Sequence, residues 1–158
     1  MKIFIHYTHL LAIVVWVGEI TFFSFVAAPA IFGTLNKEMS GKVVGIIFPK
    51  YYLIGIICGL LAIGTSFFMG VQRVRLEQIK IVILFVMLLL TLTAGLYILP
   101  KAREIKTELS ATVEETKKVL LRKKFSQTHL ISVILNVLVL IGGLGVLYFL
   151  ALQIKSVL

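Results

Sequence analysis

The chain contains little cysteine and little proline, and it lacks the usual enzyme motifs. Cys58 is the single cysteine among 158 residues, so no disulfide can form within one chain. The sequence has no phosphate-binding loop, no cysteine pair, no GxSxG motif and no carboxylates paired at catalytic spacing. The motif-bearing soluble enzymes are therefore excluded, although the residues leave open whether the protein is an enzyme.

Long apolar segments dominate what is present. Apolar residues make up 59% of the chain and the mean hydropathy is +1.06, above the range of a soluble domain. Four apolar runs, at about 3–28, 48–71, 79–99 and 127–152, reach the roughly 20 residues that cross a bilayer. We predict one all-α domain over residues 1–158, an integral membrane four-helix bundle whose immediate partner is the lipid bilayer.

The basic residues behind the net charge of +9 indicate how the chain is oriented in the membrane, because they cluster at the ends of the spans. The positive-inside rule places the first and third loops in the cytoplasm and both termini outside, on the periplasmic side in a bacterium. Nucleic-acid binding is not expected, since acidic residues are interleaved and no aromatic platform is present. The cytoplasmic set has eleven members: Lys37, Lys42, Lys50, Lys101, Arg103, Lys106, Lys117, Lys118, Arg122, Lys123 and Lys124. The outer set has five: Lys2, Arg73, Arg75, Lys80 and Lys155.

The prolines and several aromatic residues are predicted to mark the cytoplasmic boundary. Pro29 is expected to follow the first span, Pro49 to open the second and Pro100 to close the third. An interfacial aromatic belt is expected beside them, formed by Phe48, Tyr51 and Tyr52.

The polar segment at about 101–126 is predicted to form a cytoplasmic helical extension. Thr112 and Glu115 have the spacing of a capping box, which predicts a helix that runs unbroken into the fourth span. In the second span, small residues recur at helical spacing, which predicts a close helix contact or a partner surface. These small residues are Gly55, Gly59, Ala62 and Ser66.

Three polar residues are predicted to share the membrane midplane. Glu19, Thr91 and Asn136 each lie roughly 15 Å from the expected cytoplasmic boundary, at about 1.5 Å per residue. This layer either joins the helices by hydrogen bonds or is a site for a proton, an ion or a substrate. A carboxyl at this depth is expected to be neutral, or to be charged only beside a cation.

A second polar level is predicted nearer the outer face. His9 and Trp16 share one face of the first helix, and Lys80 begins the third span at a similar depth. His9 is either a hydrogen-bonded bundle histidine or a ligand, with His6 as a second metal donor. Lys80 either approaches the same cavity or pairs with Glu77 three residues earlier. Haem b or a transition metal is the possible cofactor.

The fourth span carries a further polar group on the cytoplasmic side. His129, Ser132 and Asn136 fall on one helical face, which favours polar packing between helices. His129 and His9 lie near opposite membrane faces, so they cannot bind one metal ion.

Four stretches carry a family resemblance: "HLLAIVVWVG", "FVAAPAIF", "GIIFPKYYLIG" and "KKFSQTHLISVILNVL". Together they resemble the four-span membrane family that includes transmembrane protein 205, in which glycine is more usual at the position of Glu19. More distantly, His9 followed by Trp16 is similar to the first span of copper-resistance D-type proteins and membrane-embedded protoporphyrinogen IX oxidases. This second resemblance implies that His9 and Lys80 bind haem b.

Two hypotheses about function follow. The first is a small transporter or an accessory subunit, assembled as a homo-oligomer or in a larger membrane complex, with the Glu19 layer as its polar site. The second is a haem- or metal-binding membrane protein with a redox or metal-handling role, centred on His9, Trp16 and Lys80.

Overall fold

The computed structural model describes residues 1–69 and 75–155, and this part of the chain is helical without strands. Two π-helical segments, Phe23–Ala27 and Thr93–Ile98, interrupt otherwise continuous helices. The α-helices are α1 (Lys2–Phe22), α2 (Ala28–Thr34), α3 (Lys37–Phe68), α4 (Arg75–Leu92), α5 (Leu99–Ala111) and α6 (Glu115–Lys155).

Four helical stretches are long and apolar enough to cross a membrane, which confirms the predicted all-α membrane bundle. They are Lys2–Thr34, Lys37–Phe68, Glu77–Ala111 and Glu115–Leu152. Because successive stretches run in opposite directions, residues 1 and 155 lie at one end of the bundle, which we call the terminal end. The opposite end, which holds Pro29, Pro49 and Pro100, is the proline end.

The helices continue through all three prolines, so the helices do not end there, and the placement of the prolines at the cytoplasmic boundary of the spans stays a prediction. Pro29 is the second residue of α2 and Pro100 the second residue of α5, and each follows a π-helical segment directly. Proline lacks an N–H and its ring crowds the carbonyl four residues earlier. In both helices that carbonyl belongs to the π segment, whose wider turn accommodates the ring. Pro49 lies well inside α3.

A helical hairpin, formed by α5 and the first turns of α6, lies at the proline end. α5 packs against the first turns of α6, with Ile105 and Leu121 buried between them. Residues 112–114 break the helix, and the Thr112 hydroxyl donates to the Glu108 carbonyl at 2.8 Å. The capping box of Thr112 with Glu115 is therefore wrong, although the long helix into the fourth span is present as α6.

The small-residue stripe of α3 is used inside the chain, not on a free surface. A Cβ atom on Gly59 would lie 2.8 Å from Cη2 of Trp16 and 2.9 Å from Cδ1 of Leu88. Ala62, one turn further, is completely buried. The missing side chains let α1 and α4 approach the α3 backbone, so this stripe is not available to a partner protein.

Enlarging Gly59 is expected to destabilise the bundle, because its Cβ position is already filled by Trp16. We expect Gly59→Leu to lower the free energy of unfolding by about 1–3 kcal/mol, the usual cost of overpacking. Gly64→Leu is the matched control, since nothing lies within 4 Å of its Cβ position on the same helix. Thermal unfolding in detergent, followed by the fluorescence of the single tryptophan, measures both. Equal melting temperatures for the two variants would contradict the packing described.

Candidate functional site

The centre of the bundle holds a carboxyl group in a gap left by a glycine. Glu19 on α1 is partly buried and faces Gly55 on α3. A Cβ atom on Gly55 would lie 2.9 Å from Oε1 of Glu19, 3.1 Å from Nε1 of Trp16 and 3.2 Å from Cγ2 of Thr91. The indole N–H and the carboxyl oxygen therefore border the same small space.

The second carboxyl oxygen of Glu19 is an exception among buried polar atoms. Oε2 is buried and has no hydrogen-bond partner. No ion pair of the described residues involves Glu19. Burying a carboxylate without a partner is costly, so this group requires a proton, a water molecule or a cation at Oε2.

Thr91 lies beside Glu19, as predicted from depth, but offers it no hydrogen bond. Its hydroxyl donates to the Met87 carbonyl of its own helix at 2.9 Å, and only its methyl group faces Gly55. Threonine in a helix has this local alternative, which counting residues from the boundary does not reveal.

Asn136, the third residue of the predicted layer, is joined to two tyrosines. Its Nδ2 donates to the Tyr52 hydroxyl at 3.3 Å, and the Tyr51 hydroxyl donates to its Oδ1 at 3.5 Å. The Tyr52 and Ser132 hydroxyls are 2.8 Å apart, and either is able to donate. These four residues, Tyr51, Tyr52, Ser132 and Asn136, form what we call the inner polar cluster.

The burial of the tyrosines corrects the prediction of an interfacial belt. Tyr51 is 7% exposed and Tyr52 is 2% exposed, and both belong to the core of the bundle. The error comes from the start of α3, which begins at Lys37 and carries both rings into the bundle. The sequence contained one signal for this burial, because Tyr52, Gly55 and Gly59 have the spacing of one helical face.

The inner polar cluster lies beside the central carboxyl. Tyr51 and Cys58 lie within about one helical turn of Gly55 on α3, and Gly55 faces Glu19. Phe23 of α1 packs on the ring of Tyr51, with 5.5 Å between the ring centroids. The carboxyl, the tyrosine hydroxyls and the Asn136 amide thus form one polar region in an apolar bundle.

A separate polar region lies toward the terminal end, where His9 is 3% exposed. Its Nδ1 lies 3.0 Å from the Ala62 carbonyl and 2.8 Å from the Thr65 hydroxyl. A carbonyl only accepts, so Nδ1 carries the hydrogen and Nε2 is the nitrogen with the lone pair. The bond joins α1 to α3.

Lys80 is 4% exposed and pairs with Glu77, with 3.0 Å between Nζ and Oε1. The structure therefore forms the alternative pair with Glu77 and buries Lys80 in the same half of the bundle as His9, the half toward the terminal end.

The packing around His9 does not fit a haem. Trp16, which was predicted to pack against the cofactor, is 1% exposed and fills the space over Gly59. Two of the open surface depressions, of about 470 and 300 Å³, include neither His9 nor Lys80.

The predicted metal pair of His6 and His9 is also not supported. His6 is exposed and its Nδ1 bonds the Lys2 carbonyl of its own helix at 2.9 Å. Within residues 1–69 and 75–155, no three His, Cys, Asp or Glu side chains form a group able to hold a metal ion.

His129 does not pack between helices, so that prediction is wrong. His129 is exposed, whereas its neighbour Thr128 is buried and shares the buried face of α6 with Ser132. The predicted buried face of α6 was off by one residue, which corresponds to about 100° of rotation around the helix axis.

Comparisons with known proteins place the chain in a family. Residues 11–111 match the family described as "Domain of unknown function (DUF4149)", and the chain belongs to it. A segment of 55 residues is 40% identical to an "Uncharacterized protein" of Aquifex aeolicus (strain VF5). The segment covers 35% of this chain and 39% of that relative's length, so the chain spans about two fifths of it. No solved structure matches.

Removing the His9 imidazole is expected to destabilise the contact between α1 and α3. We expect His9→Ala to lower the free energy of unfolding by about 1–2 kcal/mol, since it removes a bond between helices and some packing. His6→Ala is the matched control, because that ring is exposed and bonds only its own helix. Thermal unfolding in detergent measures both variants. If His6→Ala destabilised the protein as much as His9→Ala, the contact to α3 would not be the cause.

Proposed function

We propose that this member of the DUF4149 family is a small membrane transporter for a monovalent cation, the proton included, with Glu19 as the binding carboxyl. The observation that carries the proposal is the Oε2 atom of Glu19, which is buried without a hydrogen-bond partner. Ionisable groups inside a membrane are costly and most often mark the path of an ion or substrate.

The surroundings of Glu19 support binding over a purely structural role. A purely structural role would require the carboxyl to form a hydrogen bond with a neighbouring helix, and Oε2 makes no such hydrogen bond. The missing side chain of Gly55 admits the carboxyl, and Glu19 Oε1 and Trp16 Nε1 both lie against this part of the α3 backbone. Thr91 turns its hydroxyl away toward Met87. A buried carboxyl oxygen without a partner suits an exchangeable proton or a small cation, and the indole N–H nearby favours the ionised carboxylate when that cation leaves.

The distribution of basic residues supports one orientation of the protein in the membrane. We propose that the proline end faces the cytoplasm and that both termini lie outside, since the first and third loops carry most basic residues. The accessory-subunit alternative has less support, because the small-residue stripe is already occupied by α1 and α4. A homo-oligomer or a larger membrane complex stays a prediction.

Flux measurements in proteoliposomes test the proposal. Gradients of H⁺, Na⁺ and K⁺ are imposed in turn, and the flux of each ion is followed with ion-selective dyes. We expect flux of at least one cation above that of empty liposomes. Glu19→Gln is expected to reduce this flux to the level of empty liposomes, because the amide keeps the shape of the side chain but cannot hold a proton or a cation.

The control for this experiment is a carboxyl outside the bundle core. Glu38→Gln changes an exposed residue that pairs with Lys42 at 2.7 Å, and its flux is expected to equal that of the unmodified protein. Flux no greater than that of empty liposomes for all three cations would refute the proposal, as would full flux in Glu19→Gln.

A further inference from the structure

We infer that Glu19 exchanges a proton with the proline end of the bundle through the inner polar cluster, while packing around Trp16 closes the side toward the terminal end. This inference rests on the proposed function and deepens it, because it assigns the proton as the exchanged cation and gives it a route. The observation behind it is a difference in polarity between the two sides of one carboxyl group.

Polar groups extend from Glu19 toward the proline end. Thr128, Ser132 and Asn136 are four residues apart in α6, so they lie along one helix face over about 12 Å. Thr128 is 7% exposed and Ser132 is 9% exposed, so this polar face points into the bundle. Tyr51 and Tyr52 of α3 cover it.

The hydrogen bonds of the inner polar cluster leave lone pairs available along this route. The Tyr51 hydroxyl donates its hydrogen to Asn136 Oδ1, and an amide does not pass a proton on, so Tyr51 positions Asn136 and is not a step of the route. The Tyr52 hydroxyl accepts from Asn136 Nδ2 at one lone pair and lies 2.8 Å from the Ser132 hydroxyl. Its second lone pair takes a proton from Glu19 through water while its own hydrogen passes to Ser132 Oγ, so that each oxygen gains one proton and gives one up.

Close packing holds the ring of Tyr52 in place. A Cβ atom on Gly95, in the second π segment, would lie 2.8 Å from Cβ of Tyr52. The backbone of the π segment therefore packs directly against Tyr52, which is hydrogen-bonded to both Asn136 and Ser132. Phe48 packs against the same ring, with 5.8 Å between the centroids.

The side of Glu19 that faces the terminal end is apolar and closed. Trp16 is 1% exposed, and its ring lies against the backbone of Gly59. The next polar side chain of α1 on this buried face is His9, about 10 Å further along the helix. The layer between them is filled by fully or almost fully buried apolar residues: Ile13, Ala62, Leu84 and Met87.

The groups that face Glu19 are consistent with proton exchange at this carboxyl. α3 contributes the Gly55 backbone, with Tyr51 and Cys58 within about one turn on either side, and α4 contributes the Thr91 methyl group. No lysine, arginine or histidine of the described chain forms an ion pair with it. A proton is therefore the cation that the carboxyl takes up when it loses its charge.

The rate of protonation of Glu19 tests the route separately from transport. The protein is placed in lipid nanodiscs, where both faces meet the buffer, and a rapid pH jump is followed by infrared absorption of the carboxyl C=O stretch. The band that disappears in Glu19→Gln identifies Glu19. We expect Tyr52→Phe and Ser132→Ala to slow the change of this band by about tenfold, equivalent to about 1.4 kcal/mol of activation free energy.

Two matched variants control for the loss of any hydroxyl. Tyr148→Phe changes a tyrosine that is 63% exposed, and Ser66→Ala changes a serine near the terminal end that bonds only its own helix. Both are expected to leave the rate unchanged. Melting temperatures of all four variants verify that each protein is folded, and Tyr52→Phe keeps the ring that packs on Gly95.

The outcomes separate this inference from the proposed function. Unchanged rates in both Tyr52→Phe and Ser132→Ala would overturn the route, as would equal slowing by Ser66→Ala. A pH jump that produces no band change sensitive to Glu19→Gln would also overturn it, because the carboxyl would not exchange protons. Absence of cation flux in the unmodified protein would instead count against transport, even if the protonation rates followed the expected pattern.

Discussion

The close approach of Trp16 to the α3 backbone is the contact on which the rest of the bundle depends. An indole ring fits between α1 and α3 only because Gly55 and Gly59 have no side chains. In a membrane the lipid is as apolar as leucine, so helices associate through such close packing rather than through the hydrophobic effect. The same contact sets the position of Glu19, which is three residues after Trp16 on the same helix.

Antiparallel packing of α1 on α3 then fixes three successive levels. His9 bonds to Ala62 and Thr65 near the terminal end, and Phe23 packs on Tyr51 near the proline end. The Trp16 and Glu19 level lies between them. Polar groups at the outer and inner levels are satisfied by neighbouring helices, whereas Oε2 of Glu19 is not. Among residues 1–69 and 75–155, Oε2 is the buried side-chain atom left without a partner, which is why the proposed cation-binding role is assigned to Glu19.

The residues of the predicted midplane layer show which properties depth along a helix determines. Depth follows from 1.5 Å per residue, and Glu19 and Thr91 do lie against the same glycine, Gly55. Rotation and local bonding do not follow from depth. The Thr91 hydroxyl bonds its own helix. His129 is exposed while Thr128 is buried, because a shift of one residue turns a side chain by about 100°.

By itself, the sequence determined the four membrane helices, since length and hydropathy are local properties that lipid selects directly. It also indicated that a carboxyl lies deep among them. Only the tertiary structure decided that Pro29 and Pro100 lie within helices, because the π segments before them absorb the ring. The tertiary structure likewise placed Tyr52 in the core beside Asn136, since the neighbours of a buried side chain depend on how distant helices pack.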